Sequence, residues 1–191
     1  MGSRQGTGTE RREIEPTISA FTTEEASAEV LLEIHTLVVG AFDDRFSGDD
    51  WQHTLGGTHF VVSTDRTIVA HAAVVSRSLD VGDRAYRTGY VEGVATALSH
   101  RRQGFGSLAM QEASHHIKER YELGALSTAM HGFYEHVGWE RWRGPSFVRQ
   151  GTSLRRTEDE DEGLMVLRFG PSATADLGAS ISCEARAGDD W

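Results

Sequence analysis

Gly89-Tyr90-Val91-Glu92-Gly93-Val94-Ala95-Thr96 is followed, after a short link, by Arg101-Arg102-Gln103-Gly104-Phe105-Gly106-Ser107. The first part reads as a strand carrying two glycines, and isolated glycines in a strand mark a bulge or the close approach of another backbone. The second part opens an amphipathic helix: Phe105, Leu108, Ala109, Ala113 and Ile117 share one face of a helix expected over residues 102–120. A helix N-terminus offers free backbone N–H groups and the positive end of the helix dipole, so it binds phosphate, and glycines let those groups approach a pyrophosphate closely. The Gly-Lys-Ser/Thr element of a P-loop is missing, and the glycine spacing is not that of a dinucleotide fingerprint. A Gly-x-Gly that merely starts a helix is the plain alternative.

Upstream, residues 14–21 predict a first strand. Thr22 or Thr23 offers an N-cap, with Glu25 placed for a capping-box-like start. Val30, Leu31, Ile34, Leu37, Val38 and Ala41 then recur at helical spacing, with an end near Gly40. An acidic segment, residues 43–50, leads into Trp51 and a second short helix, broken by Gly56-Gly57. Residues 59–62 and 68–75 flank Thr64-Asp65-Arg66 as a hairpin, and Gly82-Asp83 turns the chain into residues 85–96, so a three-stranded antiparallel meander is expected. Downstream, residues 123–127 read as a short buried strand and residues 132–136 as the end of a short helix. Residues 147–148 and 164–169 read as strands around a charged stretch, 155–162. The tail from Ala173 is polar, yet it ends in Trp191, an odd residue to leave in solvent. The order predicts an α+β fold with a strand–helix–strand crossover near the centre of its sheet.

Arg101-x-x-Gly104-x-Gly106, after a strand ending Val94-Ala95-Thr96, resembles the acetyl-CoA signature of the GNAT acetyltransferases. The resemblance implies the GNAT fold: a central mixed, mostly antiparallel sheet with a splayed strand pair, flanked by helices. The strand before the motif would carry a bulge, which Gly89 and Gly93 fit, and residues 123–127 would be the splayed strand. Acetyl-CoA would be the co-substrate. Backbone groups of Val94 and Thr96, with Ala95 between them, would pair with its pantetheine arm. Arg102, Gln103, Gly104, Phe105, Gly106 and Ser107 would cradle its pyrophosphate, with Arg101 opening the motif. Further blocks are more specific: Gly40-Ala41-Phe42, Asp50-Trp51, His53-Thr54-Leu55-Gly56-Gly57, Ala70-His71-Ala72-Ala73-Val74, Gly89-Tyr90-Val91-Glu92-Gly93-Val94 and the Gly188-Asp189-Asp190-Trp191 end. They resemble the aminoglycoside 2'-N-acetyltransferases over nearly all of the chain after residue 30. That implies acetyl transfer to the 2'-amino group of an aminoglycoside antibiotic, by direct attack in a ternary complex, and hence antibiotic resistance. Enzymes of this kind are often homodimers, though no stretch of the sequence marks an interface.

A sugar ammonium must lose a proton before its nitrogen attacks a thioester, and the departing thiolate benefits from an acid. Glu92, two residues before Val94, is the candidate general base, acting through a water; a partner for a buried arginine, or an ordinary strand carboxylate, is the alternative. Tyr134 is the candidate general acid, against a packed core tyrosine. A polycationic substrate calls for carboxylates. The resemblance assigns substrate contacts to Asp50, Asp189 and the terminal carboxylate of Trp191, beside Glu92, with Glu160 or Asp161 adding another. Most charges of residues 155–162 otherwise read as a solvated loop, and Trp191 as an apolar staple for the tail. One position departs from the pattern: Arg45 in Asp43-Asp44-Arg45-Phe46 stands where the related enzymes tend to carry an acid. Either Asp44 compensates, or Arg45 points outward, or the substrate is less cationic, as in kasugamycin-type aminoglycosides. A GNAT enzyme for another small amine and a non-catalytic acyl-CoA sensor are the remaining readings; retention of both Glu92 and Tyr134 argues against the sensor.

Composition narrows the partners. The chain has 191 residues, which suits one domain, and a formal net charge of −10. Such acidity disfavours nucleic acid, whose binding rests on Lys and Arg against phosphates, and attracts polycations, although it also serves plain solubility. The one cysteine, Cys183, excludes an internal disulfide and a cysteine-pair zinc site. His53, His59 and His71 read as core or supporting residues, and no metal site is expected. No apolar run approaches the roughly 20 residues of a membrane span. Residues 1–13 read as a disordered N-terminal extension without a secretory apolar segment, and Gly6 stands where myristoylation wants Ser or Thr. The expectation is a cytoplasmic protein with a single catalytic domain over residues 14–191.

Overall fold

The computed structural model describes residues 15–42 and 45–191. The expectations for residues 1–13 and for Asp44 lie outside the described residues.

Two tight turns organise the sheet. Strand β2 (Thr58–Thr64) turns through Asp65 and Arg66 into β3 (Thr67–Val81), and β3 turns at Gly82-Asp83 into β4 (Arg84–Thr96). Asp65 and Arg66 hold φ at 49° and 66°, the pair of positive values whose twist suits a two-residue hairpin. Strand β1 (Thr17–Thr22) lies antiparallel on β2. The Thr22–Glu25 pair closes a turn: Glu25 Oε2 accepts from Thr22 N–H at 2.8 Å and Thr22 Oγ1 from Glu25 N–H at 3.3 Å. Helix α1 (Ala28–Ala41) begins later, capped by Ser27, and α2 (Gly48–Thr54) follows. From β4 the chain crosses over through α3 (Phe105–Arg120) into β5 (Leu123–Ser127), which pairs parallel with β4. The predicted crossover and meander are therefore present, with α3 starting at Phe105 rather than at Arg102.

The C-terminal third completes both flanks. After α4 (His131–His136), the short β6 (Glu140–Arg141) and later β9 (Leu164–Arg168) extend the β5 side. On the other flank, β7 (Ser146–Gln150) pairs with β8 (Ser153–Arg156), and β10 (Ile181–Glu184) sits between β7 and the far end of β3. Only β4–β5 and β7–β10 are parallel among the described ladders. This is the expected α+β GNAT arrangement. Residues 155–156 of the charged stretch end strand β8, and residues 181–184 of the polar tail form strand β10. Both are four residues long, too short for alternation to declare itself.

Strand alternation sorts the core. Phe60 and Val62 face α3 with Ala109, Met110, Ala113 and Ile117, whereas Val61 points the opposite way onto Ile34 and Val38 of α1. A third cluster joins Tyr90, Trp142, Val148, Ile181 and Trp191, and Trp191 is only 4% exposed.

The two strand glycines have different jobs. At Gly93 the β3–β4 register slips: Ala73 faces Glu92 and His71 faces Ala95, so Ala72 alone opposes Gly93 and Val94. Gly93 holds φ at 58°, and this is the bulge. Gly89 instead admits the helix, since a Cβ there would lie 2.7 Å from Ile117 and 2.9 Å from Tyr121. Pairing of β4 with β5 stops at Tyr90–Ala125, so the two strands part beyond it and a cleft opens at the bulge.

Candidate active site

The cleft between the parted strands has a volume of about 470 Å³ and is lined by Val94, Ala95, Thr96, Arg101, Arg102, Phe105 and Tyr134, among others. Arg102 and Gly104 both adopt positive φ, 62° and 87°, curling the link toward the start of α3. Leu108 N–H is the first to bond back, to Gly104 O at 3.0 Å, so the amides of Phe105, Gly106 and Ser107 have no partner inside the helix. Gly106 keeps this end close to β4: a Cβ would sit 2.8 Å from Thr96 Oγ1. These amides and Arg102 fit a pyrophosphate. Arg101, which also lines the cleft, and Gln103 make contacts within the protein. Arg101 donates to Ala41 O at 3.0 Å and Thr96 O at 3.4 Å, and Gln103 donates to Ser99 O at 3.1 Å, bracing the loop.

Tyr134 stands in the same cleft at 7% exposure, edge-on to Phe133 at 4.9 Å. Burial pushes its phenol well up, the Thr128 hydroxyl opposing, so it stays protonated. Glu92 flanks the bulge. Its Oε1 accepts from Arg186 Nη1 at 2.6 Å, and both side chains are 16% exposed. Burial raises the Glu92 carboxyl, and Arg186 pulls against that shift.

Arg186, which sequence reasoning missed, is the partner of Glu92. Its Nε donates to Asp189 O at 2.7 Å and its Nη2 to Trp191 O at 3.1 Å, while its own N–H donates to Asp190 Oδ1 at 2.9 Å. It thus folds the tail over Glu92. A lone arginine in an acidic tail carries no pattern that would reveal this; the buried-arginine alternative for Glu92 named the partner type but not the residue.

A second, acidic concavity of about 340 Å³ is lined by Glu158, Asp159, Glu160, Asp189, Asp190 and Trp191, with Arg155 and Arg156 on its wall. Burial, then the Asp189 charge, raises Glu160, with Ser127 opposing. Asp190 is paired with Arg155. Trp191 donates its indole N–H to Thr157 Oγ1 at 3.1 Å. Asp161 does not line this concavity. Its carboxylate is held by Arg156, Ser146 N–H at 2.9 Å and Ser146 Oγ at 2.8 Å, which together bring it down to about 2. Asp50 closes the capping box of α2: its Oδ2 accepts from Ser47 N–H at 2.7 Å and Ser47 Oγ at 2.8 Å, while its charge still reaches Glu92. His53 bonds Ala187 O at 2.8 Å, and a Cβ on Gly188 would meet Asp49 at 2.7 Å, so α2 is docked tightly on the tail. Arg45 lines the cleft beside Thr96 and Arg102, not the acidic concavity, with its Nε donating to Phe42 O at 3.4 Å. Glu160, Asp189 and Trp191 thus line one concavity, Arg186 ties Glu92 to Asp189 and Trp191, the charge of Asp50 reaches Glu92, and Asp161 holds the loop.

Among the described residues no group of three His, Cys, Asp or Glu could hold a metal ion, and no helix is long and apolar enough to cross a membrane.

The splayed pair, the bulge and the helix-end cradle define an acetyltransferase class. Residues 22–142 match the family model described as an acetyltransferase (GNAT) domain. Among solved structures, the chain is similar to the GNAT family N-acetyltransferase YhbS from Escherichia coli in complex with CoA, at a TM-score of 0.63 and 14% identity, over 89% of this chain and 90% of that one. It also matches a probable N-acyltransferase from Enterococcus faecalis V583, at a TM-score of 0.56 and 18% identity, over 67% of this chain, and spans about a third (33%) of that longer protein. An aminoglycoside 2'-N-acetyltransferase from Mycolicibacterium fortuitum is 42% identical over 159 residues, covering 81% of this chain and 82% of that one. The chain belongs to the GNAT acetyltransferases and, within them, to the aminoglycoside 2'-N-acetyltransferase family.

Proposed function

We propose that this acetyltransferase moves the acetyl group of acetyl-CoA to the 2'-amino group of an aminoglycoside, in a ternary complex and without a covalent enzyme intermediate. One observation carries the reading: Glu92 joins a phosphate-type cleft to an acidic one. It lies two residues from Val94 on one side and is tied through Arg186 to Asp189 and Trp191 on the other. The amides of residues 105–107 and Arg102 bind the pyrophosphate, and the backbone of Val94 and Thr96 pairs with the pantetheine arm. Asp50, Glu160, Asp189 and Trp191 receive the other ammonium groups of the sugar, which desolvate at little cost against carboxylates. Glu92 accepts the proton of the 2'-ammonium through a water, Arg186 occupying Oε1 and leaving Oε2 for that water. Tyr134 delivers its proton to the departing sulfur.

The test is thiol release by purified protein with acetyl-CoA and four amines: a 2'-amino aminoglycoside, a 2'-hydroxy one, kasugamycin and spermidine. Release is expected with the 2'-amino aminoglycoside and not with the 2'-hydroxy one or spermidine. Release with spermidine only, or with none, rejects the proposal. Because Arg45 borders the co-substrate cleft, it gives no reason to favour kasugamycin; a kasugamycin-selective enzyme would require Arg45 to face the sugar instead.

A further inference from the structure

At the bulge one carbonyl is held by a buried side chain. Gly93 and Val94 share Ala72 as their sole opposite on β3. The Gly93 carbonyl accepts from His71 Nδ1 at 2.7 Å. His71 Nε2 lies 2.9 Å from His59 Nδ1, and His59 Nε2 lies 2.8 Å from Thr23 Oγ1. Gly56 N–H donates to the same hydroxyl at 2.9 Å. Both imidazoles are fully buried, at 0% exposure.

A carbonyl only accepts, so the inner end of this chain dictates every proton in it. His71 carries its proton on Nδ1 and accepts at Nε2; His59 must then donate from Nδ1 and accept the Thr23 hydroxyl at Nε2. Burial keeps both rings neutral and brings His71 down to about 3, so neither serves as a base near neutrality. In a trans peptide the C=O and the following N–H point to opposite sides, and no cis peptide occurs among the described residues. Holding the Gly93 carbonyl toward His71 therefore aims the Val94 N–H the other way, and Val94 lines the cleft.

We propose that His71, locked in its tautomer by His59, is a positioning residue for the acyl-CoA: it sets the Gly93–Val94 peptide so that the Val94 N–H meets the thioester end of the pantetheine arm. This rests on the reading of Val94 to Ser107 as the co-substrate subsite. It differs from a space-filling core pair in one measurable way. An asparagine amide nitrogen stands where histidine Nδ1 stands, whereas glutamine reproduces Nε2 and is nearer to histidine in bulk. Packing alone ranks His71→Gln above His71→Asn; positioning reverses the order.

Acetyl-CoA affinity of the full chain, read by calorimetry, decides between them. His71→Gln is expected to weaken acetyl-CoA about tenfold, the worth of one aimed hydrogen bond, and His71→Asn less than about threefold, with similar unfolding midpoints. Equal affinities, or tighter binding by the Gln variant, overturn the proposal. Arg102→Glu separates the two layers. If it leaves acetyl-CoA affinity unchanged, the subsite reading itself fails; if it weakens binding while His71→Gln does not, only the positioning role fails. Should neither His71 variant fold, the nitrogen-15 spectrum of the wild-type histidines still tests the tautomers. Neutral Nδ1–H rings at both His59 and His71 near neutral pH are required, and an Nε2–H tautomer at His71 overturns the assignment.

Discussion

Glu92 is pulled in two directions: burial favours its protonated form and Arg186 favours its carboxylate. The balance leaves its pKa above the ordinary carboxylate value, so a reaction that needs the base form should lose rate at a pH somewhat higher than a solvated glutamate would impose. Arg186→Gln removes the opposing cation while Arg77 and Asp50 still act on Glu92, so the acidic limb of the kcat profile should move further up. An unmoved limb would show that Glu92 is not the titrating base. Glu92→Gln should cut kcat by roughly 10²-fold or more while acetyl-CoA affinity holds, since general-base contributions are of that size. Unchanged turnover would remove Glu92 from the mechanism. Glu92 itself and its flanking glycine were legible in the sequence, because their neighbours form a contiguous block. Arg186 was not: it lies 94 positions away, and only the folded tail brings it across.

In the loop of residues 157–163 neighbouring acids have different surroundings. Asp161 is spent on Arg156 and Ser146, while Glu160 faces the acidic concavity. Asp161→Asn should lower the unfolding free energy by about 1 kcal/mol at neutral pH and leave substrate affinity nearly unchanged. Glu160→Gln should do the reverse, raising KM for the aminoglycoside with little effect on stability. The pH sign follows from the Asp161 shift. Its folded value is depressed to about 2, so its stabilisation is present above the unfolded value and is lost as the pH falls through about 2. Unfolding curves of the two chains should therefore converge in strong acid, and a gap that persists there would contradict the assignment. Adjacent carboxylates in a charged run look alike as sequence; only the partners across the sheet tell them apart.

At the scale of the molecule, charge and shape act together. With a net charge of −10 and carboxylates gathered on one side, a polycationic substrate should be steered inward. kcat/KM for the aminoglycoside should fall by about tenfold between 0.05 and 0.5 M salt, as screening shortens the Debye length, while kcat changes little. A salt-independent kcat/KM would mean that the acidic concavity is not the entry site. Residues 14–191 are proposed as the catalytic domain, and removal of residues 1–13 should leave the unfolding midpoint and turnover unchanged.

The meander, the crossover, the helix start beside the glycine motif and the family were determined by the sequence alone, because each rests on local turn chemistry, on periodicity within one element, or on a contiguous motif. The tertiary structure decided what depends on distance along the chain. It inserted residues 181–184 beside β3, buried Trp191, paired Glu92 with Arg186 and turned Arg45 to the cleft lined by Val94 and Tyr134. It also closed the relay from Thr23 through His59 and His71 to Gly93. Those contacts form only when elements far apart in sequence pack together, and burial then makes their hydrogen bonds obligatory, since an unpaired buried polar group is costly.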